Sequence, residues 1–166
     1  MAVVTRRLEP SVAGFILLAD QVTKAMVRAR LGANEGVTVI PGFLDLTRVH
    51  NTGAAFGLLN AVDFPFKTAL LGLVAATALA GLTVYATTLP DPQRLTRFGL
   101  ALIIGGAAGN LIDRVGTGYV LDFVDAYWRG WHFWAFNVAD SAITVGVALM
   151  VLDILRAGRH RVSRTL

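Results

Sequence analysis

Residues 68–90 read TALLGLVAATALAGLTVYATTLP and contain no charged side chain. A helix that crosses a bilayer needs about 20 mostly apolar residues, and this stretch meets that length. Pro90, Asp91 and Pro92 then end the helix, because proline lacks a backbone N–H and disfavours helical geometry in the residue before it. The stretch therefore predicts a transmembrane helix and places the chain among membrane proteins.

The composition of the whole chain agrees with a membrane location. Of its 166 residues, 55% are hydrophobic and 16% are charged, whereas soluble domains carry about 25% charged residues. The net charge of +4 comes from basic residues beside apolar runs, a pattern typical of membrane topology signals rather than of nucleic-acid binding. The chain has no cysteine, which excludes internal disulfides, thiolate metal sites and a cysteine nucleophile.

Three further apolar runs predict an all-α membrane protein with four transmembrane helices in one domain. The first run is the least apolar, since Asp20 and Lys24 interrupt it. Its basic start also fits a signal peptide, but no small-x-small cleavage site follows, so a retained helix is favoured. The four predicted helices cover about residues 11–29, 67–89, 96–114 and 136–155.

The two longer connections predict structure outside the bilayer. In the first, about residues 31–65, residues 37–40 and 43–49 read as two strands split by a Pro41-Gly42 turn, which predicts a small sheet lying on the membrane surface. The second, about residues 115–135, is an aromatic-rich loop whose Tyr and Trp side chains are typical of the lipid headgroup region.

The distribution of basic residues predicts which side of the membrane each connection occupies. Most of them fall on one side of a four-helix arrangement, together with both termini, and the positive-inside rule assigns that side to the cytoplasm. The sheet and the aromatic loop would then face outward. The basic residues on the predicted cytoplasmic side are Arg6, Arg7, Arg94, Arg97, Arg156, Arg159, Arg161 and Arg164.

Asp122 and Asp140 are the candidate catalytic residues, because ionised carboxylates near hydrocarbon are costly and are kept where they are used. Two carboxylates brought close together can share one proton and activate water. Each also has an ordinary explanation. Asp122 alone fits a solvated loop residue, and Asn137 or Asp140 fits the cap of the last helix.

Two polar motifs in the first half of the chain leave their roles open. Asp20 and Lys24 lie four residues apart on one helix face, which fits either a structural ion pair or a substrate contact. Asn51 is followed by Gly53, which fits either a turn after a strand or an amide that holds a peptide backbone close to small residues.

The densest motif, Gly105-Gly106-Ala107-Ala108-Gly109-Asn110-Leu111-Ile112-Asp113-Arg114, lies in the third predicted helix. Its GxxxG spacing favours close helix packing in lipid. Asn110, Asp113 and Arg114 project from neighbouring parts of one face. Arg114 is expected at the outer end of the helix, where it reaches an interface or a substrate carbonyl, or extends toward water beside Asp113.

Other classes of chemistry have little support. The three histidines show no metal-ligand spacing, and no HExxH, GxSxG or P-loop is present. A proton-coupled transporter would place charges near the bilayer midplane in two repeated halves, which the sequence lacks. A non-catalytic membrane assembly factor would tolerate Asn at both aspartates.

Taken in order, five motifs make the chain resemble the lipoprotein signal peptidase (signal peptidase II) family, the bacterial membrane aspartyl peptidases. These motifs are Asp20-Gln21-x-x-Lys24, Asn51-Thr52-Gly53-Ala54-Ala55-Phe56, Gly105-Gly106-Ala107-x-Gly109-Asn110-x-x-Asp113-Arg114, Val120-x-Asp122-Phe123 and Phe136-Asn137-x-Ala139-Asp140-Ser141.

The resemblance implies that Asp122 and Asp140 are a catalytic dyad. It implies removal of the signal peptide from diacylglyceryl-modified prolipoproteins, just before the lipidated cysteine, without a metal or organic cofactor. It also implies contact with membrane lipids, inhibition by the cyclic peptide globomycin, and a location in the bacterial inner membrane with the site at the outer leaflet. A monomer is expected. The supporting residues would be Asn51, Gly53, Asn110, Arg114, Asn137, Asp20 and Lys24.

Overall fold

The computed structural model describes residues 2–33, 35–53, 59, 62, 64–90 and 93–162. Within these residues the chain forms four α-helices and four β-strands. In chain order they are α1 (Ala2–Arg30), β1 (Gly36–Ile40), β2 (Leu44–Asn51), α2 (Lys67–Thr88), α3 (Arg94–Thr117), β3 (Val120–Trp128), β4 (Trp131–His132) and α4 (Val138–Val162).

Helix α3 is the centre of the bundle and packs against the three other helices. Glycines permit this close packing. A Cβ atom on Gly105 would lie 2.6 Å from the carbonyl oxygen of Ala13 in α1, and one on Gly106 would lie 2.5 Å from that of Ala139 in α4. Gly109 is equally close to Asp20. The predicted role of the GxxxG spacing in helix packing is confirmed.

Three of the helices are long and apolar enough to cross a membrane, among the residues described: α2, α3 and the Val138–Arg156 part of α4. Helix α2 packs mainly against α3, and its apolar side chains are largely exposed, as expected of a lipid-facing helix. Helix α1 does not meet the same apolar criterion, because buried Asp20 and Lys24 lie within it. A fourth membrane crossing by α1 therefore stays a prediction.

The sheet has four antiparallel strands in the order β1-β2-β3-β4. Strands β1 and β2 and the turn between them, where Gly42 has a φ of 79°, confirm the two predicted strands and their turn, while the position of the sheet on the membrane surface stays a prediction. The prediction of an aromatic loop at 115–135 is wrong, because that connection contributes β3 and β4 to the same sheet. Strand β3 supplies the hydrogen-bonding partners that the second edge of β2 needs, and such long-range pairing leaves little trace in local sequence.

Helix α1 begins at Ala2, well before the predicted start at residue 11, and contains Pro10. Its early turns are tied to α3, since Arg97 donates two hydrogen bonds to the Glu9 carboxylate, with Nη2–Oε2 at 2.7 Å. At the same end of the bundle, Asp153 accepts hydrogen bonds from the backbone N–H and hydroxyl of Thr96 and so caps α3.

Candidate active site

Asp122 and Asp140 are brought together by two short connections. Strand β3 begins three residues after α3 ends, and Asp122 is its third residue, 2% exposed. Helix α4 begins at Val138, and Asp140 lies in its first turn. The helix starts two residues later than predicted because the backbone of Phe136 is bonded to that of Val124 in β3. This pairing holds the start of α4 beside the strand that carries Asp122.

Both oxygens of Asp122 accept hydrogen bonds from asparagine amides. Asn137 Nδ2 lies 2.8 Å from Oδ1, and Asn51 Nδ2 lies 2.9 Å from Oδ2. The carbonyl oxygen of the Asn51 side chain accepts from the backbone N–H of Gly53 at 2.9 Å, which directs the NH₂ group of Asn51 toward Asp122. Asn51 therefore makes the turn after β2, as one of the two interpretations expected, and also contacts Asp122, while its predicted contact with a peptide backbone stays a prediction.

Asn137 and Asp140 form a reciprocal cap at the start of α4. Asn137 Oδ1 accepts from the backbone N–H of Asp140 at 2.9 Å, and Asp140 Oδ2 accepts from the backbone N–H of Asn137 at 3.3 Å. This arrangement resembles a capping box, and the helix N-terminus favours the negative charge of Asp140. The capping explanation is confirmed, and the Asn137 side chain also donates to Asp122.

Asn110 joins Asp140 to the helix bundle. Its Nδ2 donates to Asp140 Oδ1 at 2.8 Å, while its Oδ1 accepts from Asn137 Nδ2 at 3.1 Å. Three asparagines thus direct side-chain NH₂ groups at the two carboxylates and satisfy their own carbonyl oxygens elsewhere. Each carboxylate accepts at least one such charge-assisted hydrogen bond, which restricts its orientation.

Lys24 is completely buried and lies behind Asn110. Its Nζ is 2.8 Å from Asp20 Oδ2, 2.9 Å from Asp113 Oδ2 and 2.9 Å from Asn110 Oδ1. Three acceptors match the three donors of an ammonium group. The predicted ion pair between Asp20 and Lys24 is present, and neither side chain is exposed. The alternative of a direct substrate contact finds no support in this arrangement.

Asp20 also holds the start of α4, because its Oδ1 accepts from the backbone N–H of Ala139 at 3.0 Å. That N–H is one of the donors that a helix N-terminus leaves without an intrahelical partner. Gln21 reinforces the contact between α1 and α3 by donating to the carbonyl oxygen of Gly109 at 3.1 Å. Helix α1 therefore positions the residue directly before Asp140.

Asp113 is a residue to which the sequence analysis gave no separate role. It is 2% exposed, pairs with Arg28 Nη2 at 2.7 Å in addition to Lys24, and accepts from the backbone N–H of Leu121 at 3.1 Å. It thus fixes the residue directly before Asp122. The signal that could have revealed it is the spacing of Lys24 and Arg28, two cations on one face of α1 that require a buried acidic partner.

Arg114 donates from Nη2 to the backbone carbonyl oxygen of Gly53 at 3.0 Å. This acceptor belongs to the chain itself, at the end of the turn that Asn51 forms, and the predicted contact of Arg114 with an interface or a substrate carbonyl stays a prediction. The hydrogen bond to Gly53 ties the end of α3 to the segment that follows β2. The last three residues of the Asn51-to-Phe56 motif, residues 54–56, lie outside the described residues.

The environment of Asp122 favours its protonated form. Burial, followed by the negative charge of nearby Asp140, raises the pKa of Asp122 to about 7, although the amides of Asn51 and Asn137 oppose the shift. A carboxyl group with a pKa near neutrality can hold or release a proton at the pH of a cell. Within the described part of the chain, no three His, Asp or Glu side chains are arranged as metal ligands.

The family model of signal peptidase (SPase) II matches residues 12–156. The chain belongs to the signal peptidase II family. This is an aspartic peptidase family, so the predictions of the family and of an aspartic peptidase are confirmed. The match begins within α1 and ends within α4, so it includes every motif on which the resemblance was based.

Individual relatives agree with the family assignment. The lipoprotein signal peptidase of Geobacter metallireducens is 46% identical over 147 residues, which cover 87% of this chain and 88% of that protein. The lipoprotein signal peptidase of Pseudomonas aeruginosa strain PAO1 is 41% identical over 143 residues, which cover 86% of this chain and 84% of that protein.

The fold also agrees with solved structures. A bacterial membrane enzyme determined by the in meso method at 2.3 Å resolution superposes with a TM-score of 0.80 at 33% identity, covering 90% of this chain and 88% of that chain. A second such structure, at 1.9 Å resolution, has a TM-score of 0.77 at 30% identity.

Proposed function

We propose that this enzyme removes the signal peptide from diacylglyceryl-modified bacterial prolipoproteins, cutting just before the lipidated cysteine, with Asp122 and Asp140 as the catalytic dyad. The observation that carries the proposal is the position of Asn137, which donates to Asp122 and caps the helix turn that holds Asp140. One side chain thereby couples two carboxylates at the edge of a membrane bundle, where a lipid-bound substrate can reach them.

The dyad activates water if it carries one proton. The ionised carboxylate accepts a proton from a water molecule, whose oxygen attacks the carbonyl carbon of the scissile peptide bond. The protonated carboxyl group donates its proton to the carbonyl oxygen, which gives a neutral tetrahedral diol. Collapse of the diol breaks the C–N bond: the carboxyl group that took the water proton donates it to the leaving nitrogen, and the other carboxylate accepts a proton from one diol hydroxyl, which becomes the new carbonyl oxygen and leaves the dyad with one proton. The two carboxyl groups titrate as a pair.

The surrounding amides support this chemistry by holding the carboxylates still. Asn51, Asn110 and Asn137 would keep both carboxyl groups oriented without adding charge, and buried Lys24 would offset the nearby carboxylates. Asp20 would act indirectly by holding the start of α4. Arg114 and Gly53 would act indirectly by holding the turn after β2. Preorganised groups of this kind lower the barrier because they need no rearrangement during the reaction.

The proposed location is the bacterial inner membrane, with all four helices crossing the bilayer, both termini in the cytoplasm and the dyad at the outer leaflet. The sheet and the dyad lie at one end of the bundle, and the basic ends of α1 and α4 lie at the other. The substrate enters laterally as an apolar signal helix with attached acyl chains. Globomycin would inhibit by occupying the space beside the dyad, and the enzyme would act as a monomer.

A gel-shift cleavage assay with purified enzyme tests the proposed substrate. A diacylglyceryl-modified prolipoprotein and its unmodified form are incubated in parallel, with and without globomycin, and the new N-terminus is identified by mass spectrometry. The proposal predicts cleavage of the modified form alone, directly before the lipidated cysteine and blocked by globomycin. Equal cleavage of the unmodified form, or cleavage at another bond, would contradict it.

A further inference from the structure

Strand β3 continues past Asp122 into a short hairpin with β4, and the three tryptophans of the chain lie in this hairpin and just after it. Trp128 pairs with Trp131 across a two-residue turn in which Arg129 and Gly130 have φ values of 51° and 81°. Such a turn suits the twist of a two-stranded ribbon. Trp128, Trp131 and Trp134 are 61%, 67% and 62% exposed. We refer to residues 124–134 as the aromatic arm.

One continuous strand connects the aromatic arm to the candidate catalytic residue. Burial falls along β3, from Leu121 at 0% exposed to Trp128 at 61%. The strand is irregular just after Asp122, because the consecutive backbone N–H groups of Phe123 and Val124 both donate to the carbonyl oxygen of Phe136. Trp128 lies six residues after Asp122 along the same strand, about 20 Å away at roughly 3.4 Å per residue.

The part of the sheet around the arm has one apolar and one polar face. Directly paired residues of neighbouring strands point to the same side of a sheet, so the pairings define both faces. The face that carries Trp128 also carries Val37, Ile40, Leu44, Leu46, Val124 and Ala126, and the opposite face carries Thr38, Asp45 and Asp125. Val37 and Ile40 are about half exposed, at 53% and 47%.

The arm is held in a fixed conformation. Tyr127 stacks on His132 with ring centroids 4.8 Å apart, and its hydroxyl donates to Asp45 Oδ1 and accepts from the backbone N–H of Gly42, both at 3.2 Å. These contacts join β4, β3 and the β1–β2 turn. A rigid arm transmits its own position to the strand from which it extends.

We propose that the aromatic arm binds the headgroup–acyl boundary of the bilayer and, by that contact, holds β3 and Asp122 at a fixed depth. The arm extends from the end of α3 and the start of α4, two helices apolar enough to cross a membrane, so it lies at the level where a spanning bundle meets headgroups. Exposed indoles favour that boundary because each has an apolar ring and a polar N–H. The Arg129 guanidinium, 5.9 Å from the Trp128 ring, adds a cation that suits lipid phosphate.

Tryptophan fluorescence tests the membrane contact without a label, because the chain has no tryptophan outside the arm. The full enzyme is reconstituted in phosphatidylcholine vesicles whose acyl chains are brominated at shallow or deep positions. The proposal predicts blue-shifted emission, strongest quenching by shallow bromines and weak quenching by aqueous acrylamide. Variants with two of the three tryptophans changed to Phe assign the signal to each position.

Two outcomes would overturn the contact. Emission typical of water-exposed indole, quenched by acrylamide and not by brominated lipid, would mean that the arm projects into water. Blue-shifted emission that neither quencher affects would mean that protein covers the arm, as in a dimer of this chain. Neither result depends on catalysis, so the contact and the proposed peptidase function fail separately.

The consequence for Asp122 rests on the proposed function and is tested by activity. A variant with Trp128→Ala, Trp131→Ala and Trp134→Ala is compared with Phe98→Ala, which removes an exposed aromatic side chain from α3 at the opposite end of the bundle. We expect the triple variant to lose cleavage several-fold in vesicles and much less in detergent micelles, with the control unchanged in both. Equal losses in vesicles and micelles would show a structural role and overturn the anchoring role.

Discussion

Lys24 Nζ lies 2.9 Å from Asn110 Oδ1, and this contact determines which way the Asn110 amide faces. A lysine ammonium has donors only, so the oxygen of the amide must point toward it. The NH₂ group of Asn110 then has to face Asp140, where its hydrogen bond is 2.8 Å long. A buried charge in α1 thereby sets the polarity of the donor presented to a candidate catalytic carboxylate in α4.

Replacing Lys24 with Met should strongly destabilise the enzyme. The substitution leaves Asp20 and Asp113 buried without their shared cation, and breaking a buried ion pair costs about 3–5 kcal/mol. The measurement is the free energy of unfolding in detergent. Lys67→Met is the matched control, since among the described residues buried Lys67 donates to the neutral carbonyl of Val62 and contacts no carboxylate, so its loss should cost about 1 kcal/mol. Equal losses in the two variants would contradict this account of Lys24.

Gly109→Ala should lower activity by displacing α1 from α3. A Cβ atom at this position would lie 2.5 Å from Asp20 Oδ2, so the carboxylate that holds Ala139 and Lys24 must move. Gly72→Ala in α2 is the control, because a Cβ atom there meets nothing within 4 Å. We expect a loss of cleavage rate and of melting temperature for Gly109→Ala alone. Normal cleavage by a folded Gly109→Ala enzyme would show that this close contact is dispensable.

Cleavage should decline as the pH rises through about 7. Burial and nearby Asp140 raise the pKa of Asp122 to about 7, and the proposed mechanism needs one proton on the pair. Above that pH both carboxyl groups ionise and the proton donor is lost. Single-turnover rates measured across the neutral range test this expectation. A rate that stays level or increases from pH about 6 to about 9 would argue against a shared proton.

The same pKa shift predicts a pH dependence of stability. Because the pKa of Asp122 is higher in the folded enzyme than its usual value of 3.8, the folded state binds this proton more tightly than the unfolded state. The contribution to stability is therefore present at low pH and is lost as the pH rises toward 7. Between the usual carboxyl pKa of 3.8 and a pH of about 7, the melting temperature of the wild type should fall, and that of Asp122→Asn should fall less. Parallel curves for the two proteins would contradict the shift.

Local sequence predicted the existence of four helices and singled out polar residues that the structure brings together, but it did not predict where α1 begins or which distant segments contact each other. A long uncharged apolar stretch such as residues 68–90 predicts a transmembrane helix. Polar residues inside apolar runs are recognisable as candidates because burying a polar side chain is costly. The pairing of β3 with β2 was missed, since a strand that is buried at one end and exposed at the other has no single periodicity. The role of Asp113 was missed because its partners lie in α1, 85 or more residues earlier.

The most direct test of the dyad is the cleavage rate of Asp122→Asn and Asp140→Asn on a lipid-modified prolipoprotein, measured beside the wild type at matched folding. Asn preserves the shape of each side chain but can neither take a proton from water nor share one with its neighbour. We predict that both variants bind substrate, keep wild-type melting behaviour near neutral pH or exceed it, and show no detectable cleavage. Near-normal turnover by either folded variant would contradict the assignment of Asp122 and Asp140 as the catalytic pair.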